Sequence, residues 1–243
     1  MGLAPWREFI YRGVVRSAAV VLALQLAAIN AAAQGGGVKW WQPVLVAGAI
    51  ATASLADRGV NDWVQDHRTP QSDDVARVFR YGGEPVVVFG ISGGIVLAGT
   101  IAGRDDVQRS GGRVLLSVIA AEVSSIVLKA SAGRYRPAET DNPYIFKPFS
   151  GHDSFPSGHT TMAFALATSL SNEIHNGWVS AALFTFATGT AWSRLNDERH
   201  WFSDVLGGAT VGISAATIVS RHPPKFLAEP SGRGVRLEWR IAF

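Results

Sequence analysis

Three short stretches of the chain hold most of the residues able to do nucleophilic or acid–base work. His200 and Asp204 stand four apart in Ser193-Arg194-Leu-Asn-Asp-Glu-Arg-His200-Trp-Phe-Ser-Asp204. On a helix, positions i and i+4 face one another, so the carboxylate could fix the imidazole tautomer and leave the other ring nitrogen free to attack. Arg194 would supply a cation for oxygens that gain charge in a phosphoryl-transfer transition state. His159 stands in Phe155-Pro156-Ser157-Gly158-His159-Thr160-Thr161. Ser157 is a natural N-cap there, and Gly158 lets an anion approach the free N–H groups of a helix start. A bound phosphate would offset the helix end's preference against imidazolium and make His159 a general acid. Lys129 and Arg136 are seven apart in Lys129-Ala-Ser-Ala-Gly-Arg-Tyr-Arg136-Pro137. They leave from nearly one face if the helix persists, and an ammonium beside a forked guanidinium suits a phosphate.

Taken singly, each stretch has an ordinary reading. The first is a set of solvated cations at a helix C-terminus, where the dipole favours them. The second is a capped helix with an incidental histidine. The third is a surface His–Asp pair of about 0.2–0.5 kcal/mol. His152 reads as a solvated loop residue beside the second stretch, and Arg134, Tyr135 and Arg199 as rim positions without a role.

Taken together, order and spacing decide. Eighteen residues separate the first motif from the second, and thirty-three the second from the third. Lys, six residues, Arg-Pro; Pro-Ser-Gly-His; Ser-Arg, five residues, His, three residues, Asp: this pattern resembles the type-2 phosphatidic acid phosphatase and vanadium haloperoxidase superfamily, and within it the bacterial phosphatases. Every position of the pattern is filled without substitution from Lys129 to Asp204. The resemblance implies that His200 is the nucleophile, forming a phosphohistidine oriented by Asp204. His159 would protonate the leaving oxygen and later assist water. Lys129, Arg136, Ser157, Gly158 and Arg194 would hold the phosphoryl oxygens. No metal and no cofactor is implied.

The elements that must position these residues read as helices. Six apolar segments follow the Gly35-Gly36-Gly37 break: Gln42–Ala56, Pro85–Gly103, Arg113–Ala130, Ser157–Asn172, Gly177–Ser193 and Ser203–Ser220. Gly, Pro and Asp punctuate them. The polar connection Asp57–Glu84 reads as a loop carrying one short helix, Asp73–Phe79. The fold class expected is all-α, a six-helix bundle over residues 38–224. Val235, Leu237, Trp239, Ile241 and Phe243 alternate with charged residues, so the tail 225–243 reads as one short β-strand.

Composition sets the boundaries of function. Apolar residues make up 47% and charged residues 17% of the 243, which excludes a disordered chain. The formal net charge is +3 without a Lys/Arg run, so no nucleic-acid partner is expected. The absence of Cys excludes disulfides, thiolate catalysis and Cys-ligated zinc. Residues 1–33 have the order of a signal peptide, or of a retained anchor. Arg7, Arg12 and Arg16 precede the apolar stretch Ser17–Ala28 and then Ala31-Ala32-Ala33. Were the six helices spans, that start would put Lys129 and Arg136 on the cytoplasmic side. The mean hydropathy of +0.15 is also low for six spans. A soluble or peripheral periplasmic domain is therefore expected, with an integral inner-membrane protein as the alternative. The expected substrate is a phosphorylated lipid (phosphatidate, phosphatidylglycerol phosphate, undecaprenyl pyrophosphate or a lipid A phosphate) or a small soluble phosphoester. A vanadium-dependent haloperoxidase and a non-catalytic envelope protein with a phosphate pocket are the competing readings.

Overall fold

The computed structural model describes residues 41–222 and the backbone of two further segments, 225–231 and 234–240. The signal or anchor expected over residues 1–33 lies outside them. Eight α-helices, not six, are found among the described residues. They are α1 (Trp41–Ser54), α2 (Asp57–Asp66), α3 (Pro70–Arg80), α4 (Pro85–Ile101), α5 (Asp105–Ala132), α6 (Gly158–Ile174), α7 (Gly177–Asn196) and α8 (Phe202–Arg221).

The two extra helices lie in the polar connection expected to be mostly loop; the short helix expected over Asp73–Phe79 falls within α3, and α2 was not foreseen. Pro70 opens α3 behind a capping box, in which Thr69 Oγ1 accepts from Ser72 N–H and Ser72 Oγ from Thr69 N–H. The missed signal was therefore a cap rather than an apolar run. α3 continues through a 3₁₀ turn, Tyr81–Gly83, and bends by 46° into α4. α5 begins earlier than the expected Arg113, because its first turn carries Asp105 and Asp106, which favour a helix N-terminus. It ends where Gly133 takes φ +56, a left-handed cap that a side chain would disfavour.

α6 is the central helix. Met162, Ala165 and Leu166 pack with Val88 of α4, Val114, Val118 and Ala121 of α5, and Ala215 of α8. Ala163 and Ala167 meet Ala187 of α7. Full burial of a side chain such as Val118 or Met162 contributes about 1.5–3 kcal/mol. Small residues bring the backbones close. A Cβ on Gly208 of α8 would stand 2.5 Å from the Ser157 carbonyl oxygen, so only glycine lets α8 approach the start of α6.

The exterior is unusually apolar. Val86, Leu97 and Ile101 of α4 and Val123, Ile126 and Val127 of α5 are exposed. α5 and α8 are long and apolar enough to cross a membrane, and the bent α3–α4 pair passes the same test. At 1.5 Å per residue α5 reaches about 42 Å against a hydrocarbon core of about 30 Å. These faces point to membrane association, which weighs against the soluble form of the expected domain and agrees with its peripheral form or with the integral alternative. The tail also differs from expectation. In place of one strand, Lys225–Ser231 and Gly234–Arg240 form a two-stranded antiparallel hairpin, with Phe226 opposite Trp239; no strand lies in the helical part.

Candidate active site

His200 does not lie on a helix. It sits in the turn between α7 and α8, two residues before α8 begins, and is 4% exposed. Its Nδ1 is 2.7 Å from the Ser154 carbonyl oxygen, while the nearest Asp204 oxygen is 3.9 Å away. A carbonyl can only accept, so Nδ1 carries the proton and a neutral His200 keeps its lone pair on Nε2. Burial, and then the charges of Lys129, Arg194 and Arg136, push this imidazole well below its ordinary value. The ring is thus held neutral, as a nucleophile must be.

Asp204 supports His200 at one remove, which corrects the direct pairing expected from helical spacing. Its Oδ2 accepts from Ser154 Oγ (2.6 Å) and from Trp201 N–H (2.8 Å), and Oδ1 accepts from Arg134. Its backbone carbonyl takes the Ser157 N–H at 3.0 Å, tying the second motif to the third. The same network places Arg134, which the sequence left without a role. Arg134 is 1% exposed and also donates to Asp57 Oδ2 at 2.7 Å and to Ser203 Oγ at 2.8 Å. Asp57, the first residue of α2, accepts from Ser203 N–H and Oγ. One guanidinium between two carboxylates, all buried, is the arrangement that tolerates loss of a partner least.

The second motif is built differently from the expected cap. Ser157 occupies the N-cap position of α6, yet its side chain makes no cap hydrogen bond; it accepts from Thr160 Oγ1 at 2.9 Å. Gly158 opens α6, and the first-turn N–H groups have no carbonyl one turn earlier. His159 is partly buried, and its Nε2 lies 3.4 Å from Glu84 Oε1 at the start of α4. Burial and then Arg194 lower its proton affinity, and Glu84 raises it. A Cβ on Gly83 would overlap the His159 carbonyl and Cβ, so the α3–α4 bend is seated directly on this histidine.

The cations of the first motif meet on Asp153 rather than on one helix face, because α5 ends before Arg136. Arg136 Nη2 is 2.7 Å from Asp153 Oδ1, and Lys129 Nζ donates to the Asp153 backbone carbonyl. Lys129 Cε lies 3.5 Å from where a Gly158 Cβ would be, at the foot of α6. Arg194, in the last turn of α7, is buried and paired with Asp197 at 3.2 Å. His200, His159, Arg136 and Arg194 line a common cavity of about 560 Å³; Lys129, Ser157, Gly158 and Asp204 are not among its lining residues. His152 stacks on Tyr135 with ring centroids 3.5 Å apart, so it is not a free loop residue. Sequence reasoning missed Ser154, Asp153, Asp57 and Glu84. Only the neighbourhood of the second motif pointed to the first two.

Comparison with known proteins points to one family. The model of the PAP2 superfamily matches residues 110–227, from within α5 to the start of the tail. This segment, which carries all three motifs, belongs to that superfamily. Lipid A 1-phosphatase of Porphyromonas gingivalis is 38% identical over 111 residues, 45% of this chain and 23% of that protein. Lipid phosphate phosphatase 2 of Arabidopsis thaliana is 35% identical over 99 residues, 35% of this chain and 33% of that one. The alignments thus span less than half the length of these relatives. The crystal structure of Aquifex aeolicus LpxE covers 67% of this chain and 93% of its own, with a TM-score of 0.53 and 28% identity. The transmembrane PAP2-type phosphatidylglycerolphosphate phosphatase of Bacillus subtilis covers 84% and 94%, with a TM-score of 0.57; at 20% identity it supports the fold alone.

Proposed function

We propose that the protein is a membrane-associated phosphatase that hydrolyses phosphoric esters of lipids through a covalent intermediate on His200. The observation that carries this reading is the Ser154 carbonyl on His200 Nδ1, which leaves Nε2 unprotonated beside a cavity lined by Arg136 and Arg194. His200 Nε2 attacks phosphorus and the bond to the leaving oxygen breaks. His159 gives that oxygen a proton, then takes one from the water that cleaves the P–N bond and frees inorganic phosphate. Lys129, Arg136, Arg194 and the N–H groups at the start of α6 neutralise the equatorial oxygens. Ser157 holds Thr160 and the entry to that turn, and Asp204 positions His200 through Ser154. The exposed apolar faces of α4 and α5 favour a lipid over a small soluble ester, since they hold the site at a bilayer.

Phosphate release from phosphatidate, lipid A and prenyl phosphates in detergent, against p-nitrophenyl phosphate and sugar phosphates without it, tests the assignment. Lipids should be turned over faster by about tenfold or more, because apolar contacts add binding energy. Equal rates on the soluble esters would contradict the lipid reading, and no release from any of them would contradict the phosphatase reading.

A further inference from the structure

Asp153 belongs to none of the three motifs, yet it meets two of their cations. Arg136 Nη2 lies 2.7 and 2.9 Å from its two carboxylate oxygens, and Lys129 Nζ lies 3.8 Å from Oδ2. The contact uses half of the arginine's fork. Nε and Nη2 point the same way in a planar guanidinium and together donate to two oxygens of one anion. Asp153 engages Nη2 alone, while Arg136 Nε is buried and has no hydrogen-bond partner among the described residues.

Two further donors are in the same state. Arg194 Nε is buried without a partner, and so is the hydroxyl of Ser125, fully buried one turn before Lys129. Ser117, Ser124 and Ser131 of α5 each donate to the carbonyl four residues back, which Ser125 does not. Its Oγ lies 3.8 Å from where a Gly158 Cβ would be, beside Lys129 Cε at 3.5 Å. Buried donors without acceptors around the start of α6 leave a place for an anion. The Asp153 main chain is fixed there, but its side chain is not. Its carbonyl accepts from Lys129 Nζ, and the next carbonyl, of Ser154, holds His200. The Arg136 main chain is held separately, its N–H donating to Glu139 Oε2 at 2.8 Å. The Asp153 side chain is 48% exposed, so a rotamer change carries the carboxylate into water without moving either motif.

We propose that the Asp153 carboxylate is an internal stand-in for phosphate: it occupies Arg136 and Lys129 before substrate binds, and the phosphoryl group displaces it. The proposal rests on the phosphatase reading above for the roles of these two cations, and adds what sets their affinity. A phosphoryl group takes both Nε and Nη2 of Arg136, so the carboxylate must give up Nη2 as the anion enters. The same carboxylate competes with substrate and with inorganic phosphate. It therefore weakens both, and it speeds the departure of the product.

The test measures binding of inorganic phosphate by calorimetry on the His200→Ala background, with the full chain in detergent. Asp153→Asn should tighten it about fivefold, the upper end for a part-exposed ion pair. Asp153→Glu, which keeps the charge, should stay nearer the parent. With His200 present, Asp153→Asn should lower both KM for a lipid monophosphate and the inhibition constant of phosphate, with kcat no higher. A carboxylate that merely braced the cations would raise both constants. Unchanged or weaker phosphate binding would overturn the proposal. A crystal structure of the wild type with inorganic phosphate gives an arm that needs no variant to fold. Phosphate oxygens should sit on Arg136 Nε and Nη2, with Asp153 turned away. Phosphate bound beside an intact Arg136–Asp153 pair would make Asp153 a bystander charge and equally overturn the proposal. Tighter binding in Asp153→Asn, with a wild type that releases no phosphate from any ester, would sink the phosphatase reading and leave the stand-in. Turnover with unaltered phosphate affinity would do the reverse.

Discussion

The ring of His200 is held by the backbone of Ser154: Nδ1 lies 2.7 Å from the Ser154 carbonyl oxygen, and the Asp204 carboxylate is 3.9 Å away. Asp204 instead grips the Ser154 hydroxyl at 2.6 Å. The imidazole is thus oriented by a main-chain atom, and the carboxylate holds the residue that carries it. Ser154→Ala should leave the tautomer intact, because the carbonyl remains. It should cost about 1–3 kcal/mol of stability, since Asp204 loses one partner in a buried site. Nitrogen chemical shifts of the imidazole should show Nδ1 protonated in both proteins. An Nε2–H tautomer in the wild type would refute this arrangement.

Arg134 should matter more to folding than to chemistry. It is buried between Asp57 and Asp204, and removing it strands two carboxylates away from water. Arg134→Ala should destabilise the protein by about 3–5 kcal/mol, read from denaturant or thermal unfolding in detergent. A change within 0.5 kcal/mol, the range of an ordinary surface substitution (about ±0.5 kcal/mol), would show that the pair is not structural.

Glu84 should set the alkaline limit of turnover. Its carboxylate raises the proton affinity of His159, against burial and Arg194, which lower it. Glu84→Gln removes the opposing charge, so the alkaline limb of the kcat/KM profile should move to lower pH. The sign follows from the proposed role of His159, since a general acid must be protonated at the start. An unmoved limb, or one moved to higher pH, would exclude Glu84 as the residue that positions His159.

The buried His200 should also leave a mark on stability. Its folded-state proton affinity is depressed, so the unfolded chain takes up a proton that the folded chain refuses. Stability from this group is complete above the ordinary histidine value of about 6.5 and declines as pH falls through it. His200→Gln should flatten the decline in unfolding free energy between neutral and mildly acid pH. An unchanged slope would argue that the ring is free to protonate in place.

Much of the site was legible in the sequence because the motifs are local. His200, His159, Arg136 and Arg194 meet at one cavity, as their order suggested. What could not be read was how turns reassign partners. The i, i+4 spacing of His200 and Asp204 implied a direct pair, yet α8 starts only at Phe202, and the turn before it rotates the imidazole towards Ser154. Lys129 and Arg136 were placed on one helix face, yet Gly133 ends α5 between them and Asp153 gathers them instead. In the fold, long apolar helices were recognised, whereas α2 was not and α3 was expected only as the shorter Asp73–Phe79. Their amphipathic faces are short and polar, and they are held by side-chain contacts to α7 such as Ser72 with Asn196. Arg134 looked like one more surface cation, because nothing local reveals two carboxylates folded against it from 77 and 70 residues away.

The central claim is that phosphorus is transferred to His200. Quenching turnover at alkaline pH, where phosphohistidine survives, and mapping the phosphoryl group by peptide mass measures this directly. The label should fall on the peptide bearing His200, and His200→Ala should show neither label nor phosphate release. A phosphoryl group on another residue, or turnover surviving in His200→Ala, would contradict the account.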